Sequence, residues 1–229
     1  VRRSVRMSVI HSVKLLGIGI LVAILSLEGL NWLYFRLRQR CSGRPLKEVL
    51  FFPTTVTCIE HLFQPHPRVS PCLCRLPHGL ETPFTRLLRH LLSARFTLDL
   101  CIFAFSSQEL CRAVLLLHRQ GVVVRVLTDK DYMAIDGSQI GSLRKAGIAV
   151  RHETGDFHMH HKFAVADRRL LITGSLNWTA TAVQGNKENV LVTEDAAFVR
   201  PFLREFEELW DANDPARLSF GPALRELKK

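Results

Sequence analysis

Residues 158–189 read HMHHKFAVADRRLLITGSLNWTATAVQGNKEN, and the rest of the 229-residue chain is read outward from them. The stretch holds His160, Lys162 two residues on, Asp167 five further, then Gly174-Ser175 and Asn177, a pattern of the form H-x-K-x4-D-x6-G-S-x-N. In a strand, residues i and i+2 point to the same face, so His160 and Lys162 are expected to project together toward one ligand. The runs KFAVAD and RLLITGS have the composition of strands. Asp167 falls at the end of the first, where a turn or charge role suits it better than catalysis.

Those residue types suit attack on a phosphodiester. Imidazole can attack phosphorus and hold it covalently, which divides one difficult displacement into two easier ones. The Lys162 ammonium, the Asn177 amide and the Ser175 hydroxyl can bind the non-bridging oxygens as charge redistributes in the transition state. No catalytic metal is required. Glu188 lies far enough on to return after a turn, and a carboxylate on the other imidazole nitrogen would fix tautomer and orientation. The competing reading of HMHH as a metal site, with His158 and His160 on one strand face, is opposed by Lys162, whose charge would repel the cation.

The run from His160 to Glu188 resembles the HKD motif of the phospholipase D superfamily. The flanking text (CIFAFSSQEL, GSQIGSLRKAGI, MHHKFAVAD, LITGSLNWT, ENVLVTED) is similar to the mitochondrial cardiolipin hydrolase, or Zucchini, family, over a range from about Leu50 to about Trp210. The resemblance implies an α/β fold, a mixed sheet flanked by helices, with His160, Lys162, Asp167 and Glu188 as the catalytic set. Lys162, Ser175 and Asn177 would bind the substrate phosphate. The chain carries one copy of H-x-K-x4-D, whereas in the superfamily two motifs meet at one site, so it resembles the members that form homodimers. In a twofold dimer one His160 would attack while the other serves as acid and then base.

Two substrates follow from the resemblance. One is single-stranded RNA, cut endonucleolytically in piRNA biogenesis to leave 5′-phosphate ends, since attack by histidine does not need the 2′-hydroxyl. Candidate groove cations are Arg75, Arg86, Lys130 and Arg151. The alternative is cardiolipin, hydrolysed to phosphatidic acid at the mitochondrial surface and promoting mitochondrial fusion. A non-catalytic membrane scaffold is a third reading, weakened because a scaffold has no need for His160, Lys162, Asn177 and Glu188 together.

A chain of this length can bury one sizeable α/β core. The net charge is +10, but residues 1–47 hold nine Lys/Arg against the single acid Glu28, and the remainder carries 22 basic and 20 acidic side chains. The excess charge therefore belongs to the N-terminal end and says little about RNA. Within that end, residues 15–35, LLGIGILVAILSLEGLNWLYF, are long enough to span a bilayer as a helix, with Trp32 and Tyr34 suited to an interfacial belt. A cleaved signal peptide would want small residues before its cleavage site, and WLYFRLRQR offers none. A retained single-pass anchor is expected. Positive charge on both flanks leaves its orientation open, and the resemblance implies the mitochondrial outer membrane with the catalytic domain facing the cytosol. The expected organisation is a basic segment (1–14), anchor (15–35), basic linker (36–48), catalytic domain (49–213) and C-terminal tail (214–229).

Cys58, Cys72, Cys74 and His78 give C-x13-C-x-C-x3-H, four ligands of the sort a tetrahedral zinc site uses. Reduced thiols in a cytosolic domain are the alternative. The resemblance implies a small zinc-finger-like insertion over residues 58–78, holding structural zinc, with His61 and His66 as substitutes for His78. The remaining pattern alternates helix and strand. Helices are expected over residues 81–96, capped by Thr82, over 107–121, capped by Ser107, and over 137–147 and 195–213. The apolar face of the last would be Phe198, Phe202, Phe206 and Leu209. Strands are expected over 96–105, 122–129, 148–153 and 189–195, with Cys101 and Cys111 as core residues.

Overall fold

The computed structural model describes residue 29, residues 45–64 and residues 72–218. The expected basic segment, the anchor over 15–35 apart from Gly29, linker residues 36–44, His66 and tail residues 219–229 lie outside the described residues. Among the described residues no helix is long and apolar enough to cross a membrane. The chain divides into two units, Val1–Pro45 and Leu46–Lys229, and the description below concerns the second.

Seven strands form one sheet: β1 (Lys47–Phe52), β2 (Thr97–Ile102), β3 (Val123–Thr128), β4 (Ala149–His152), β5 (Lys162–Ala166), β6 (Leu170–Gly174) and β7 (Glu188–Thr193). Their order is β1-β7-β6-β5-β2-β3-β4. Helices α1 (Pro83–Leu92), α2 (Gln108–Arg119), α3 (Ile140–Lys145), α4 (Ala180–Gln184), α5 (Ala196–Ala212) and α6 (Pro215–Leu218) complete the described elements. Strands β2, β3 and β4 run parallel, as crossovers through α2 and α3 require. The β5, β6, β7 and β1 pairings are antiparallel, so the sheet is mixed as expected.

Alternation along the strands divides the core in two. Leu98, Leu100, Ile102, Val124, Val126 and Ala164 face one side, where Leu87, Leu88 and Leu91 of α1 and Leu110, Val114 and Leu117 of α2 cover them. Cys101, Leu127, Phe163, Val165 and Leu171 face the other, under Val199, Phe206 and Trp210 of α5. Cys101 and Cys111 are both buried core residues. The helix starts follow their caps: Thr82 accepts the Thr85 N–H at 3.2 Å, and Ser107 accepts that of Leu110 at 3.3 Å.

One expectation needs correction. Phe198 is 50% exposed, and the inward stripe of α5 runs through Val199, Phe206 and Trp210, with Phe202, Leu203 and Leu209 packed partly against it. Both stripes are apolar in the first turn, and contact with the sheet selects the one starting at Val199. The first strand opens at Lys47, where Lys47 and Glu48 pair with Thr193 and Val192 of β7. The tail opens with the short helix α6. A further feature lies inside the apolar runs: Asp99 and Arg125 are register partners that form an ion pair at 2.8 Å, and Arg125 also bonds Glu207 of α5 at 2.9 Å.

Candidate active site

The end of β2, the start of β5, the end of β6 and the start of β7 meet at one end of the sheet, since Ile102 pairs with Lys162 and Gly174 with Val190. His160 sits just before β5 and Lys162 is that strand's first residue. The Lys162 ammonium lies 3.0 Å from Nδ1 and 3.2 Å from Nε2 of the His160 ring, and donates to the His160 carbonyl at 2.7 Å. The Phe103 ring centroid is 4.3 Å from that of His160 and 4.9 Å from the ammonium, a cation–π distance.

Partial burial lowers the His160 pKa below its ordinary value of 6.5, the Lys162, His158 and His161 charges lower it further, and only Asp129 opposes. Burial likewise lowers the Lys162 pKa, against the attraction of Glu188. Near neutral pH the imidazole is therefore unprotonated, with a lone pair available for attack, beside a cation suited to a phosphate oxygen.

The other motif residues are arranged by a close strand approach. A Cβ on Gly174 would lie 2.0 Å from the Asn189 carbonyl oxygen, so glycine alone lets β6 approach β7 this closely. Ser175 then donates its hydroxyl to Glu188 at 2.5 Å and accepts the Asn189 N–H at 3.1 Å. The other Glu188 oxygen accepts from the Asn186 amide at 3.1 Å. Glu188 is thus bonded to Ser175 and Asn186, while Lys162 is the polar neighbour of the His160 ring. The Asn177 amide oxygen is buried without a hydrogen-bond partner, so the fold does not consume it.

Asp167 lies at the far end of β5, about 16 Å from Lys162 at strand rise. Its Oδ1 accepts the N–H groups of Arg95, Phe96 and Thr97 at 3.1, 2.7 and 3.0 Å. Asp167 and Arg168 both have positive φ, 52° and 53°, and with Arg169, whose N–H bonds the Ala166 carbonyl at 3.0 Å, they form the turn that joins β5 to β6.

Reading the sequence missed Asp129, Phe103 and Tyr132. Asp129 is 1% exposed. Burial pushes its carboxyl up, but the Asp131 N–H, the His158 ring and the N–H groups of Tyr132 and Met159 together hold it below its ordinary value. Tyr132 packs on Phe103 with ring centroids 4.0 Å apart. The available signal was an acid ending a buried parallel strand, the position where α/β sheets gather their sites. Of the candidate cations, Arg86 is paired with Glu48 at 2.5 Å and Arg151 with Asp214 at 3.2 Å. Lys130 donates to the Gly155 carbonyl at 2.7 Å, and Arg75 is exposed in the cysteine-rich loop.

The ligand atoms of Cys58, Cys72, Cys74 and His78 all lie within 4.8 Å of one another. The Cys58 and Cys72 sulfurs are 3.8 Å apart, and Cys74 Sγ is 3.4 Å from His78 Nε2. Tetrahedral zinc with ordinary bond lengths requires edges of about 3.8 Å between sulfurs and about 3.6 Å between sulfur and nitrogen, so the donors fit that ion. A hydrogen bond from His78, assisted by bonds from Cys74 and Cys58, lowers the Cys72 thiol to about 6, which favours a thiolate ligand. His61 stands apart from the set, in a 3-10 turn over Glu60–Leu62.

Residues 87–210 match the family described as Cardiolipin synthase, PLD-like domain. The mitochondrial cardiolipin hydrolase of Danio rerio is 59% identical over 225 residues, 98% of each chain. That of Homo sapiens is 57% identical over 203 residues, covering 86% of this chain and 80% of its own. Among solved structures, the phospholipase D family member Nuc from Salmonella typhimurium superposes with a TM-score of 0.56 at 18% identity, over 73% of this chain and 95% of its own. NucT from Helicobacter pylori gives 0.54 at 19%, over 72% and 97%. The two structures share the fold, the sequence relatives extend the likeness through the His160 motif, and on both grounds the chain belongs to the phospholipase D superfamily, alongside the mitochondrial cardiolipin hydrolases.

Proposed function

We propose that the protein is a phosphodiesterase that works through a phosphohistidine on His160, cutting single-stranded RNA internally to leave 5′-phosphate ends, as in piRNA biogenesis. The observation that carries the reading is the Lys162 ammonium beside an imidazole kept neutral. His160 attacks phosphorus while the bond to the leaving oxygen breaks. Lys162, Ser175 and Asn177 hold the non-bridging oxygens, and the turn-forming Asp167 acts only on the fold. His160 of a second copy in a twofold dimer protonates the leaving oxygen, then removes a proton from the water that displaces phosphate from nitrogen. Glu188 orients an imidazole within that shared cleft. The trough beside His160, lined by Glu153, Asp156, Phe157, His158 and Leu209, is open, which suits a polymer cut in its interior.

Cardiolipin hydrolysis to phosphatidic acid is the second reading, supported by the names of the relatives and by the 89% exposed Phe157 at the trough. Those names also support a mitochondrial location; an anchor over residues 15–35 would tether the domain to the outer membrane, and the family resemblance implies that the domain faces the cytosol. Structural zinc on Cys58, Cys72, Cys74 and His78 would staple the loop that they share.

The test gives the detergent-solubilised full chain and its His160→Asn variant single-stranded RNA, with cardiolipin vesicles in parallel. RNA products with 5′-phosphate from the parent alone support the first reading. Phosphatidic acid without RNA products makes the lipid primary. Full activity at concentrations where sedimentation finds only monomer would sink the shared site.

A further inference from the structure

Asp129 follows the last residue of β3 and gathers four N–H groups. Its Oδ1 accepts from the backbone of Asp131 at 2.9 Å and of Tyr132 at 3.3 Å, an ordinary local turn. Its Oδ2 does something the turn does not need. It accepts from the His158 ring at 3.1 Å and from the Met159 backbone at 3.1 Å, across 29 and 30 residues of chain. On the far side of the nucleophile, the His161 carbonyl accepts the Phe103 N–H at 2.9 Å. His160 therefore stands between two clamped peptide groups, one held by a buried carboxylate and one by β2's extension, with its ring against Phe103.

We propose that Asp129 is a positioning residue for the nucleophile: its carboxylate fixes the peptide ahead of His160 and, through His158, the wall of the cleft. The inference rests on His160 being the nucleophile. A displacement of about 1 Å at a reacting group costs on the order of a hundredfold in rate, and without the Oδ2 acceptor the buried Met159 N–H loses its partner. The carboxylate also acts on the ring by charge. The groups facing His160 are Lys162 from β5, His158 and His161 from its own segment, and Asp129 from the end of β3, with Glu188 acting through Lys162. Among the described residues Asp129 is the acid that acts directly on the ring, so removing its charge moves the His160 titration to lower pH.

The experiment compares the full chain with Asp129→Asn, Asp129→Glu and Asp99→Asn on bis(p-nitrophenyl) phosphate, with kcat and KM followed against pH and rates expressed per folded molecule. Asp99 is the matched control, a carboxylate 2% exposed that is bonded to Arg125 at 2.8 Å under α5. Asp129→Asn is expected to lose about a hundredfold in kcat with little change in KM, and its acid limb should move to lower pH. Asp129→Glu keeps the charge with altered reach, and should lose kcat while keeping the limb. Asp99→Asn should lose stability alone. Titration of the His160 ring protons by NMR reads the same downward shift without turnover. An Asp129→Asn enzyme with near-parental kcat, a limb that stays or moves up, or an equal kcat loss in Asp99→Asn would overturn the proposal. A fully active His160→Asn variant would overturn the underlying reading instead.

Discussion

Lys162 is nearly equidistant from the two ring nitrogens of His160, 3.0 and 3.2 Å, and is tied to the same residue's carbonyl at 2.7 Å. The contact places a cation where phosphate oxygens would arrive and disfavours a second positive charge on the ring. In the proposed mechanism one side chain thus serves the nucleophile before substrate binds and the phosphate afterwards.

Lys162→Met separates these effects. Burial, then the Lys162 charge, holds the His160 pKa below 6.5, and in the proposed mechanism the unprotonated ring is the nucleophile, so activity should be lost as pH falls through that depressed value. Without the ammonium the pKa rises and the acid limb of kcat/KM moves to higher pH. The plateau rate should fall by about 10²–10³, as when one oxyanion donor is removed. A limb that moves down would show that Lys162 does not act on the ring.

Asp167 belongs to the motif by spacing and to the turn by structure. Asp167→Ala strands the N–H groups of Arg95, Phe96 and Thr97 and places alanine at φ 52°. The expected cost is about 1–3 kcal/mol in denaturant unfolding, with phosphodiester hydrolysis per folded molecule unchanged. Asp167→Asn, which tolerates the left-handed region and keeps one acceptor, should recover much of the loss. If activity collapses while stability holds, Asp167 is catalytic after all.

The strands were legible because KFAVAD and RLLITGS are short runs of strand-forming apolar composition, and strand geometry anticipated the His160–Lys162 contact although His160 sits just ahead of β5. Asp129 and Phe103 were not legible, because their neighbourhood depends on β2 lying between β5 and β3, a sheet order that no local pattern encodes. The Ser175–Glu188 contact was hidden for a related reason, since it needs the β6–β7 register. On α5, Phe198 and Val199 are both apolar, so periodicity alone could not choose the inward stripe.

The Cys/His cluster should hold one zinc ion per chain, measurable by elemental analysis of protein purified without added metal. Cys58→Ser and Cys72→Ser should each abolish it, and Tm should fall by about 5–15 °C with the loss of the staple. Metal should also leave as the solution is acidified, because the ligands must be thiolates. Hydrolysis per folded molecule is expected to persist, because none of the four ligands contacts His160. Metal-free protein with parental Tm would remove zinc from the account.

Gly174 gives the most local test of how the site is built. A methyl group there would meet the Asn189 carbonyl oxygen at 2.0 Å and Val190 Cα at 2.9 Å, and both are backbone atoms of the paired strand, so no side chain can move aside. Gly174→Ala must push β7 away from β6, at a cost of about 3 kcal/mol, and the displaced strand carries Glu188 away from Ser175. Activity per folded molecule should therefore fall along with stability. Gly141 supplies the contrast: it lies within α3 with nothing within 4 Å of an added Cβ. Gly141→Ala should raise stability by about 0.5–1 kcal/mol through helix propensity and leave hydrolysis alone. Equal behaviour of the two variants would mean that the β6–β7 approach does not set the Ser175–Glu188 pair.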